Sequence, residues 1–391
     1  MTTTLRCWLI TISITLFQTC FLTSELDAQT VDVQILSIKE SDTILINPVA
    51  GNYVLVSGKD TLTKLSTNEV LRITRVEDKV FCKALLAKFD TLLSNFNLVS
   101  LQSGGSIKLK KGHRSEETYT GNFNLVYSRE LEPQLINTVN IDSYVSRVLM
   151  EEVGYNVPDE YLKIQAIISR TYAVRNLGRH EEDGFDLCSK VHCQVYHGKK
   201  EIPSSIHTAT ASTSGTVITH DNSQPILATF HANCGGTTAN SEHVWNNPLP
   251  YLVSTKDTFC LNQRSAVWSK ELELNQLKKY VRNQTGLDAD TLNWGTLVLN
   301  ADRSGKNIEF FGESFSLPMM RRDLGLRSTY FTMKIVGEKA VYSGRGFGHG
   351  VGLCQQGAIN MARLNFDHKQ ILGFYFKGTK LESISESKLV K

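Results

Sequence analysis

The stretch 141-IDSYVSRVLMEEV-153 separates a β-rich first part of the chain from a mixed second part, and its pattern is that of an amphipathic helix. An α-helix turns by roughly 100° per residue. On that wheel one face carries four apolar side chains, namely Tyr144, Val145, Val148 and Leu149. Glu152 falls near the centre of this face and Glu151 at its edge. The pattern therefore predicts a carboxylate in an apolar setting.

Glu152 is a catalytic candidate for this reason alone. A carboxyl group pressed against apolar side chains is desolvated, so its pKa rises. A carboxylic acid that keeps its proton near neutral pH can act as a general acid. The alternative is that the helix simply ends here and that both glutamates lie in water. Periodicity alone does not decide between these two interpretations.

The flanking segments predict an α+β fold, with a β-rich N-terminal part followed by a domain of mixed helices and strands. Within residues 29–118, runs such as Val31–Leu36 and Tyr53–Val56 are bounded by turn-forming residues, as is typical of strands. Tyr119–Val126 is a further predicted strand. Asp142 is the predicted N-cap of the helix that follows.

A second and longer helix is predicted to begin with Pro158 in its first turn and to extend to about Leu177, before Gly178. Arg170 lies beside one face of this helix, where a solvated charge is the simplest interpretation. That face carries small or amide side chains at helical spacing: Gln165, Ala166, Ser169 and Ala173.

The remainder of the second part, residues 119–385, alternates strands and helices. Strands are predicted at 216–219 and 226–230, and a helix at 353–364. Residues about 270–330 carry no recognisable chemistry and are predicted to form an inserted or packing subdomain.

Residues 1–28 have the order of a secretory signal peptide. Arg6 precedes the uncharged and largely apolar run Cys7–Leu22, and a short polar segment then ends at Ala28. An uncleaved membrane anchor is the alternative, because the apolar run is long for a signal. The sequence thus predicts an exported protein of the periplasm or cell envelope.

The composition excludes several classes of function. With 41% hydrophobic and 21% charged residues, the chain is typical of a folded globular protein. A net charge of +3 is too small to argue for nucleic acid as a partner. The sequence also lacks the Gly-x-Ser-x-Gly motif of serine hydrolases and the His-Glu-x-x-His motif of zinc proteases.

Cysteine and histidine residues suggest a metal site. Six cysteines lie beyond residue 28, and four candidate ligands occur close together: His180, Cys188, His192 and Cys193. Two thiolates and two imidazoles make a complete tetrahedral zinc set with no position left open for catalysis. A disulfide between Cys188 and Cys193 is the alternative in an oxidising compartment.

Glycine recurs at every second position from Gly344 to Gly352. In an extended chain this leaves one face bare, so a ligand or another backbone can approach. The spacing matches neither a dinucleotide nor a phosphate-binding loop, and no nucleotide partner is predicted. His349, inside this run, is either a site residue or a loop-bracing one. Four aromatic residues suit the apolar faces of sugar rings, although most such residues belong to a core: Tyr172, Tyr196, Trp245 and Phe347.

Several of these segments occur together in the order found in one family. They are Val139–Val145, Glu152–Pro158, Lys163–Ala166, Ser169–Ala173, Cys188–Tyr196, Cys234–Thr237, Trp245, Pro250–Leu252 and Gly344–Ala358. With this ordered series the chain resembles the stage II sporulation protein D family of peptidoglycan lytic transglycosylases, which also includes amidase enhancers. The resemblance covers roughly residues 119–381.

The resemblance implies a role for Glu152. The catalytic acid of that family is a glutamate placed before a proline-led helix, and this register falls on Glu152. The implied reaction cuts the β-1,4 bond between N-acetylmuramic acid and N-acetylglucosamine and closes a 1,6-anhydro ring on the muramic acid. Five further residues are candidates for positioning sugar: Arg170, Tyr172, Gln165, His349 and Gln355.

Cofactor and partners are implied in the same way. Some members of the family resemble zinc binders in the region of the Cys/His group, so one structural zinc is expected there and none is required for the chemistry. The implied partners are peptidoglycan glycan strands and a cell-wall amidase. Three departures from the family pattern leave the cleft shape and substrate preference open: Val153-Gly154 in place of Met-Pro, Ser169 in place of alanine, and Cys354 in place of serine.

Two other classes of function compete with this expectation. A non-catalytic binder that presents glycan to a separate amidase would use the same cleft, but Glu152 would then be dispensable. A secreted zinc hydrolase would need an open coordination position and a bound water.

Overall fold

The computed structural model describes residues 29–385, except 41, 154–155, 199–200 and 246. The predicted signal peptide, residues 1–28, lies outside the described residues. The α+β prediction is confirmed, since the described part contains seven α-helices and 24 strands in several sheets. Within this part of the chain, no helix combines the length and the apolar character that crossing a membrane requires.

Twelve strands precede the first helix. They are β1 (Thr30–Ser37), β2 (Thr43–Ala50), β3 (Tyr53–Ser57), β4 (Asp60–Leu65), β5 (Leu71–Val76), β6 (Lys79–Ala84), β7 (Phe89–Leu93), β8 (Phe96–Ser100), β9 (Ser106–Lys111), β10 (Glu117–Thr120), β11 (Asn122–Tyr127) and β12 (Pro133–Asn140).

Helices and strands alternate in the rest of the chain. The helices are α1 (Ile141–Glu152), α2 (Asp159–Arg175), α3 (Ser204–Ser212), α4 (Leu274–Thr285), α5 (Leu317–Asp323), α6 (Gln355–Arg363) and α7 (His368–Tyr375). The strands are β13 (Leu187–Cys188), β14 (Thr216–His220), β15 (Gln224–Pro225), β16 (Phe230–His231), β17 (Val267–Glu273), β18 (Val298–Asp302), β19 (Asn307–Phe310), β20 (Glu313–Ser316), β21 (Tyr330–Val336), β22 (Lys339–Arg345), β23 (Leu353–Cys354) and β24 (Lys380–Ser383).

Two sheets built mainly from the N-terminal strands share one hydrophobic core with α1. The seven-stranded sheet has the order β13-β1-β12-β11-β8-β3-β4, and the six-stranded sheet has the order β10-β9-β2-β5-β6-β7. Strand β1 pairs antiparallel with β12, so the β-rich region and the strand that leads into α1 belong to one sheet. The predicted boundary at residue 118 therefore falls within shared sheets rather than between separate cores.

The single strand predicted at Tyr119–Val126 is two strands in different sheets. Gly121 separates β10 from β11 with a φ of +100°, a backbone conformation that glycine adopts without steric cost. A Cβ at this position would lie 2.4 Å from the carbonyl oxygen of Thr138, so the close approach of β12 also requires glycine. The chain thus crosses from one sheet to the other at this residue.

Helices α1 and α2 form where the sequence predicts them, with one correction at the start of α1. Asn140, not Asp142, is the N-cap, and its side-chain oxygen accepts hydrogen bonds from the backbone N–H groups of Asp142 and Ser143. Asp142 lies in the first turn instead. Pro158 is the N-cap of α2, one position earlier than predicted.

A second hydrophobic core joins α2 to α6, α7 and the loops around β16 and β23. Strand β16 pairs parallel with β23, which brings His231 beside Cys354. The strand predicted at 226–230 forms only at its last residue, Phe230. Val153 and Val157 pack against both the first and the second core, so the segment after α1 lies at their junction.

Residues 267–345 include a sheet and a third hydrophobic core of their own. The sheet has the order β17-β22-β21-β18, and α4 and α5 contribute to its core. This region covers the segment predicted as an inserted or packing subdomain.

Candidate functional site

Glu152 is the last residue of α1, at the junction between two cores. The buried residues of α1 include the four apolar side chains of the predicted face. Glu152 continues that face but is itself exposed, because the helix ends here and its side chain extends beyond the packed surface. The backbone N–H of Val195 donates a hydrogen bond to its carboxylate.

The surroundings of Glu152 raise its pKa above the ordinary value of a glutamate. The largest cause is desolvation by the protein atoms packed around the carboxyl group, and the negative charge of Glu151 acts in the same direction. The hydrogen bond from Val195 opposes both. Although the side chain reaches solvent, its carboxyl group therefore holds a proton to a higher pH than a free glutamate would.

A buried tyrosine that the sequence analysis did not single out connects Glu152 to two of the predicted site residues. Gln165 Nε2 donates to the hydroxyl of Tyr161 over 2.8 Å, and Gln355 is hydrogen-bonded to the same hydroxyl. The charge of Glu152 acts on this hydroxyl as well. The structure thus brings together Glu152, Tyr161, Gln165 and Gln355. Of the two glutamines, only Gln355 is partly exposed, whereas Gln165 is buried.

Arg170 does not fit the predicted role of a sugar contact. Its side chain is fully buried, and its Nε and Nη2 atoms lie 2.8 Å and 2.7 Å from Oδ1 of Asp142. Nη1 donates to the backbone carbonyl of Thr216, and Nη2 also donates to the backbone carbonyl of Thr210. Burial of this kind keeps Arg170 from any ligand, and its contacts tie α2 to α1 and α3.

Arg170→Met should therefore cost stability rather than substrate binding. Arg170 is buried but the side chain of its partner Asp142 is 25% exposed, so the loss should lie at the lower end of the range for a buried ion pair, about 3 kcal/mol. We expect a decrease of this size in the free energy of unfolding, measured by denaturant titration. Arg363→Met, on an exposed arginine, should change it by less than about 0.5 kcal/mol. A loss of glycan binding by Arg170→Met with unchanged stability would contradict this placement.

The predicted metal ligands do come together. One ligand atom from each of His180, Cys188, His192 and Cys193 lies within 4.8 Å of every other. The Sγ atom of Cys193 lies 3.4 Å from Nε2 of His180 and 3.6 Å from Nδ1 of His192, and Cys188 Sγ lies 3.8 Å from the same Nδ1. Zn–S and Zn–N bonds of about 2.3 and 2.0 Å in a tetrahedron give S···N separations of roughly 3.5 Å. This donor set fits one zinc ion.

Tyr172 lies at this Cys/His group instead of beside Glu152. Its hydroxyl is hydrogen-bonded to the thiol of Cys193 and accepts from Nη1 of Arg179 over 3.2 Å. Burial raises the pKa of Tyr172 to about 12, so it stays a neutral hydroxyl. Tyr172 therefore lies beside the candidate metal ligands and does not line a sugar site at Glu152.

The Cys/His group is coupled to Glu152 through the chain. Val195, which donates to Glu152, follows Cys193 by two residues. Between them, Gln194 accepts a hydrogen bond from the hydroxyl of Tyr144 in α1 over 3.1 Å. Directly after Val195, the ring of Tyr196 packs against that of Tyr144, with 5.1 Å between the ring centroids. An ion held by Cys193 would thus fix the segment that presents Val195 N–H.

His349 braces its loop. Its Nδ1 accepts from the N–H of Val351 over 3.1 Å, and its Nε2 donates to the carbonyl of Phe230 over 2.9 Å. Burial lowers the pKa of His349 to about 4, so the ring is neutral at physiological pH. Its ring also packs against the partly exposed Trp245, whose ring centroid lies 5.4 Å away. His349 can therefore affect a ligand by holding Trp245.

Sequence reasoning missed Tyr161 and the backbone of Val195. Tyr161 precedes Gln165 by four residues, and that spacing puts both on one side of a helix. The spacing could have identified this pair, but a tyrosine in a helix is usually a core residue. A backbone N–H carries no sequence signal at all.

Comparisons with known proteins match the part of the chain that carries this site. The sequence model of a family described as "Stage II sporulation protein" matches residues 130–220, a range that holds α1, α2 and the Cys/His group. An uncharacterized protein of Brachyspira hyodysenteriae is 32% identical over 254 residues, which cover 63% of this chain and 68% of that protein.

Two named relatives come from Bacillus subtilis. Its stage II sporulation protein D is 29% identical over 270 residues, covering 63% of this chain and 76% of the relative. Its amidase enhancer is 27% identical over 276 residues, covering 57% of this chain and 38% of the relative. The matched segments and these relatives together show that the chain belongs to the stage II sporulation protein D family.

Proposed function

We propose that this protein is an exported lytic transglycosylase of peptidoglycan, with Glu152 as its general acid and base. The proposal rests on one observation: the carboxyl group of Glu152 reaches solvent and yet has a raised pKa. An acid that must protonate a leaving group near neutral pH needs both properties. The substrate bond is the β-1,4 linkage from N-acetylmuramic acid to N-acetylglucosamine.

The neighbourhood of Glu152 favours chemistry with one acid. Hydrolytic glycosidases place two carboxyl groups on either side of the bond that they cut. Among the residues that the structure describes, Glu151 is the one carboxylate that shifts the pKa of Glu152. As the preceding residue of a helix it projects roughly 100° away, so it cannot lie across a bond from Glu152.

A single acid suffices when the substrate supplies its own nucleophile. Protonated Glu152 gives its proton to the leaving oxygen of N-acetylglucosamine as the glycosidic bond breaks. The C6 hydroxyl oxygen of the muramic acid bonds to its own anomeric carbon, and its proton passes to the Glu152 carboxylate. The Val195 N–H stabilises that carboxylate while it exists. The acid is restored and no water is consumed.

Zinc enters the proposal as a structural ion. His180, Cys188, His192 and Cys193 would hold it, and four protein ligands leave no position for a water. Such an ion would supply rigidity to the Val195 segment. The secreted zinc hydrolase is disfavoured for the same reason, because its metal needs an open position.

A second candidate function is favoured by the similarity to an amidase enhancer. In that case the protein binds glycan strands and assists a cell-wall amidase without cutting them. Trp245 and Gln355, both partly exposed, would contribute to binding in either function.

The products of purified glycan strands distinguish the two functions. Strands with and without peptide stems are incubated with the protein in water enriched in oxygen-18 and analysed by mass spectrometry. We expect fragments that end in 1,6-anhydromuramic acid and carry no heavy oxygen. Fragments with one heavy oxygen would indicate hydrolysis and contradict the proposal. Intact strands that still bind the protein would favour the amidase-enhancing role.

A further inference from the structure

A second group of metal-binding residues lies in the core between α2, α6 and α7, away from the Cys/His group. Its members are Cys234, Asp257, Cys260 and Cys354, all buried, with one ligand atom from each within 4.8 Å of every other. Cys234 follows β16, Asp257 and Cys260 lie in the loop before β17, and Cys354 ends β23. The fold thus brings three distant segments of the chain to one point.

The atoms of this group have the spacing that a single ion requires. Cys234 Sγ lies 3.3 Å from Cys260 Sγ and 3.2 Å from Oδ2 of Asp257. Tetrahedral zinc with bonds of about 2.3 Å to sulfur and 2.0 Å to oxygen gives S···S and S···O separations of roughly 3.8 and 3.5 Å. A movement of a few tenths of an ångström would bring these atoms to those separations.

Hydrogen bonds around the group orient its ligand atoms. The hydroxyl of Tyr375 donates to Oδ2 of Asp257 over 2.9 Å, and the N–H of Phe259 donates to Oδ1 over 2.9 Å. The sulfur of Cys354 accepts from the N–H groups of Cys234 and Gly357 over 3.3 and 3.4 Å. Outer contacts of this kind fix carboxylate and thiolate ligands in metal sites.

A buried arginine beside the group has no carboxylate partner in the described part of the chain. Arg303 is 4% exposed, and its Nη1 donates to the backbone carbonyls of Cys234 and Thr237. Its Nε and Nη2 atoms are buried without a hydrogen bond, and no carboxylate forms an ion pair with it among the described residues. Its charge interacts with all three thiol groups. A buried guanidinium without a counter-charge is costly, so this position calls for a nearby anion.

A metal–thiolate centre would supply that anion. Three thiolates, one carboxylate and one divalent ion carry a formal charge of about −2, next to the positive charge of Arg303. A disulfide between Cys234 and Cys260 would give no charge. In that case no metal ion would link the thiol of Cys354 and the carboxylate of Asp257 to the other two residues.

We propose that Cys234, Asp257, Cys260 and Cys354 bind one zinc ion as a closed structural site. Thiolate ligands favour zinc over harder divalent ions, and four protein ligands exclude a catalytic role. The ion would join the loops 233–238 and 256–262 to the start of α6. It would thereby hold Gln355, which follows Cys354 directly and is hydrogen-bonded to Tyr161 near Glu152. This inference does not depend on the proposed reaction.

Metal content per chain tests the site. The full chain, the Cys260→Ser variant and the Cys82→Ser variant are dialysed into metal-free buffer and measured by inductively coupled plasma mass spectrometry. Cys82 is a matched control, because it is a buried thiol outside both groups. We expect Cys260→Ser to hold one equivalent of zinc less than wild type, and Cys82→Ser to equal wild type. The difference is independent of whether the Cys/His group also holds zinc.

A measurement on the wild-type protein covers the case in which Cys260→Ser does not fold. Anomalous X-ray scattering at the zinc absorption edge should show a peak bounded by the sulfur atoms of Cys234, Cys260 and Cys354. Equal zinc content in Cys260→Ser and wild type would overturn the proposal. A Cys234–Cys260 disulfide in the isolated wild-type protein, found by peptide mass spectrometry without reduction, would overturn it as well.

Discussion

If Glu152 is the acid of the proposed reaction, Glu152→Gln should lower the rate of glycan cleavage by about 10²–10⁴-fold, the usual contribution of a positioned general acid. Glutamine keeps the size of the side chain but cannot give a proton to the leaving oxygen. Because Glu152 is exposed at the end of α1, folding and glycan binding should persist in this variant. The measurement is the initial rate of formation of anhydro-ended fragments, with binding followed separately on the same strands.

Glu151→Gln is the matched control. This variant removes a neighbouring carboxylate of the same size as Glu152, so it should retain cleavage. The negative charge of Glu151, which raises the pKa of Glu152 in the wild type, is absent from the variant. The proposed reaction begins from protonated Glu152, so the rate of the wild type should fall as the pH rises through that pKa. We expect the alkaline limb of the pH–rate profile to move to lower pH in Glu151→Gln. Full cleavage by Glu152→Gln would contradict the role of Glu152 as the acid, whereas a wild type that binds glycan without cutting it would support the amidase-enhancing role.

The same pKa shift affects stability. Since the protein atoms packed around its carboxyl group raise the pKa of Glu152 in the folded state, the folded protein holds this proton more tightly than the unfolded chain does. The resulting stabilisation is present below the ordinary pKa of a glutamate and is lost as the pH rises through the folded-state pKa. Glu152→Gln lacks this loss, so its free energy of unfolding should depend less on pH in that window.

Cys193→Ser has the second largest expected effect, a loss of metal and of thermal stability. Structural zinc sites in small peptides contribute about 10–16 kcal/mol of apparent binding free energy. Even part of this would lower the melting temperature on the order of 10 °C, given shifts of about 2–4 °C per kcal/mol in mid-sized domains. Cleavage should fall as well, because Cys193 lies two residues before the Val195 N–H that binds Glu152.

A control variant and two treatments, with a chelator and with a reductant, distinguish bound zinc from a disulfide. Cys82→Ser alters a buried thiol outside the Cys/His group, so it should keep its metal content. In Cys260→Ser, where the second group cannot hold its metal, a chelator should lower the melting temperature, whereas a reductant should leave it unchanged. The reverse pattern would show that Cys188 and Cys193 form a disulfide.

Local sequence patterns were sufficient for the helices that carry the site. The spacing of apolar residues placed α1 and α2 within a few residues of their ends and selected Glu152. It could not decide how much water reaches Glu152, since that depends on Val195 and on the cores that meet at Val153 and Val157. The N-cap prediction failed by two residues because Asp142 and Asn140 are both good capping residues.

Arg170 shows why the role of a charged residue cannot be read from a helix alone. Spacing puts it beside the small-residue face of α2, where solvent or a ligand was expected. Its burial follows from the packing of α1 and α3 on that face, which places Asp142 and two backbone carbonyls around it. The resemblance implied sugar contacts for Tyr172 and His349, and in both cases distant segments of the chain supply their contacts instead.

The sequence by itself determined the α+β class, the two helices, the position of Glu152 on the apolar face of the first helix and the four residues of the Cys/His group, because each depends on residues close together along the chain. Only the tertiary structure decided which polar groups from distant parts of the chain meet. Asp257 and Cys260 lie some distance along the chain from both Cys234 and Cys354, and no local period connects them. They come together because β16 pairs with β23 and the second core closes around them.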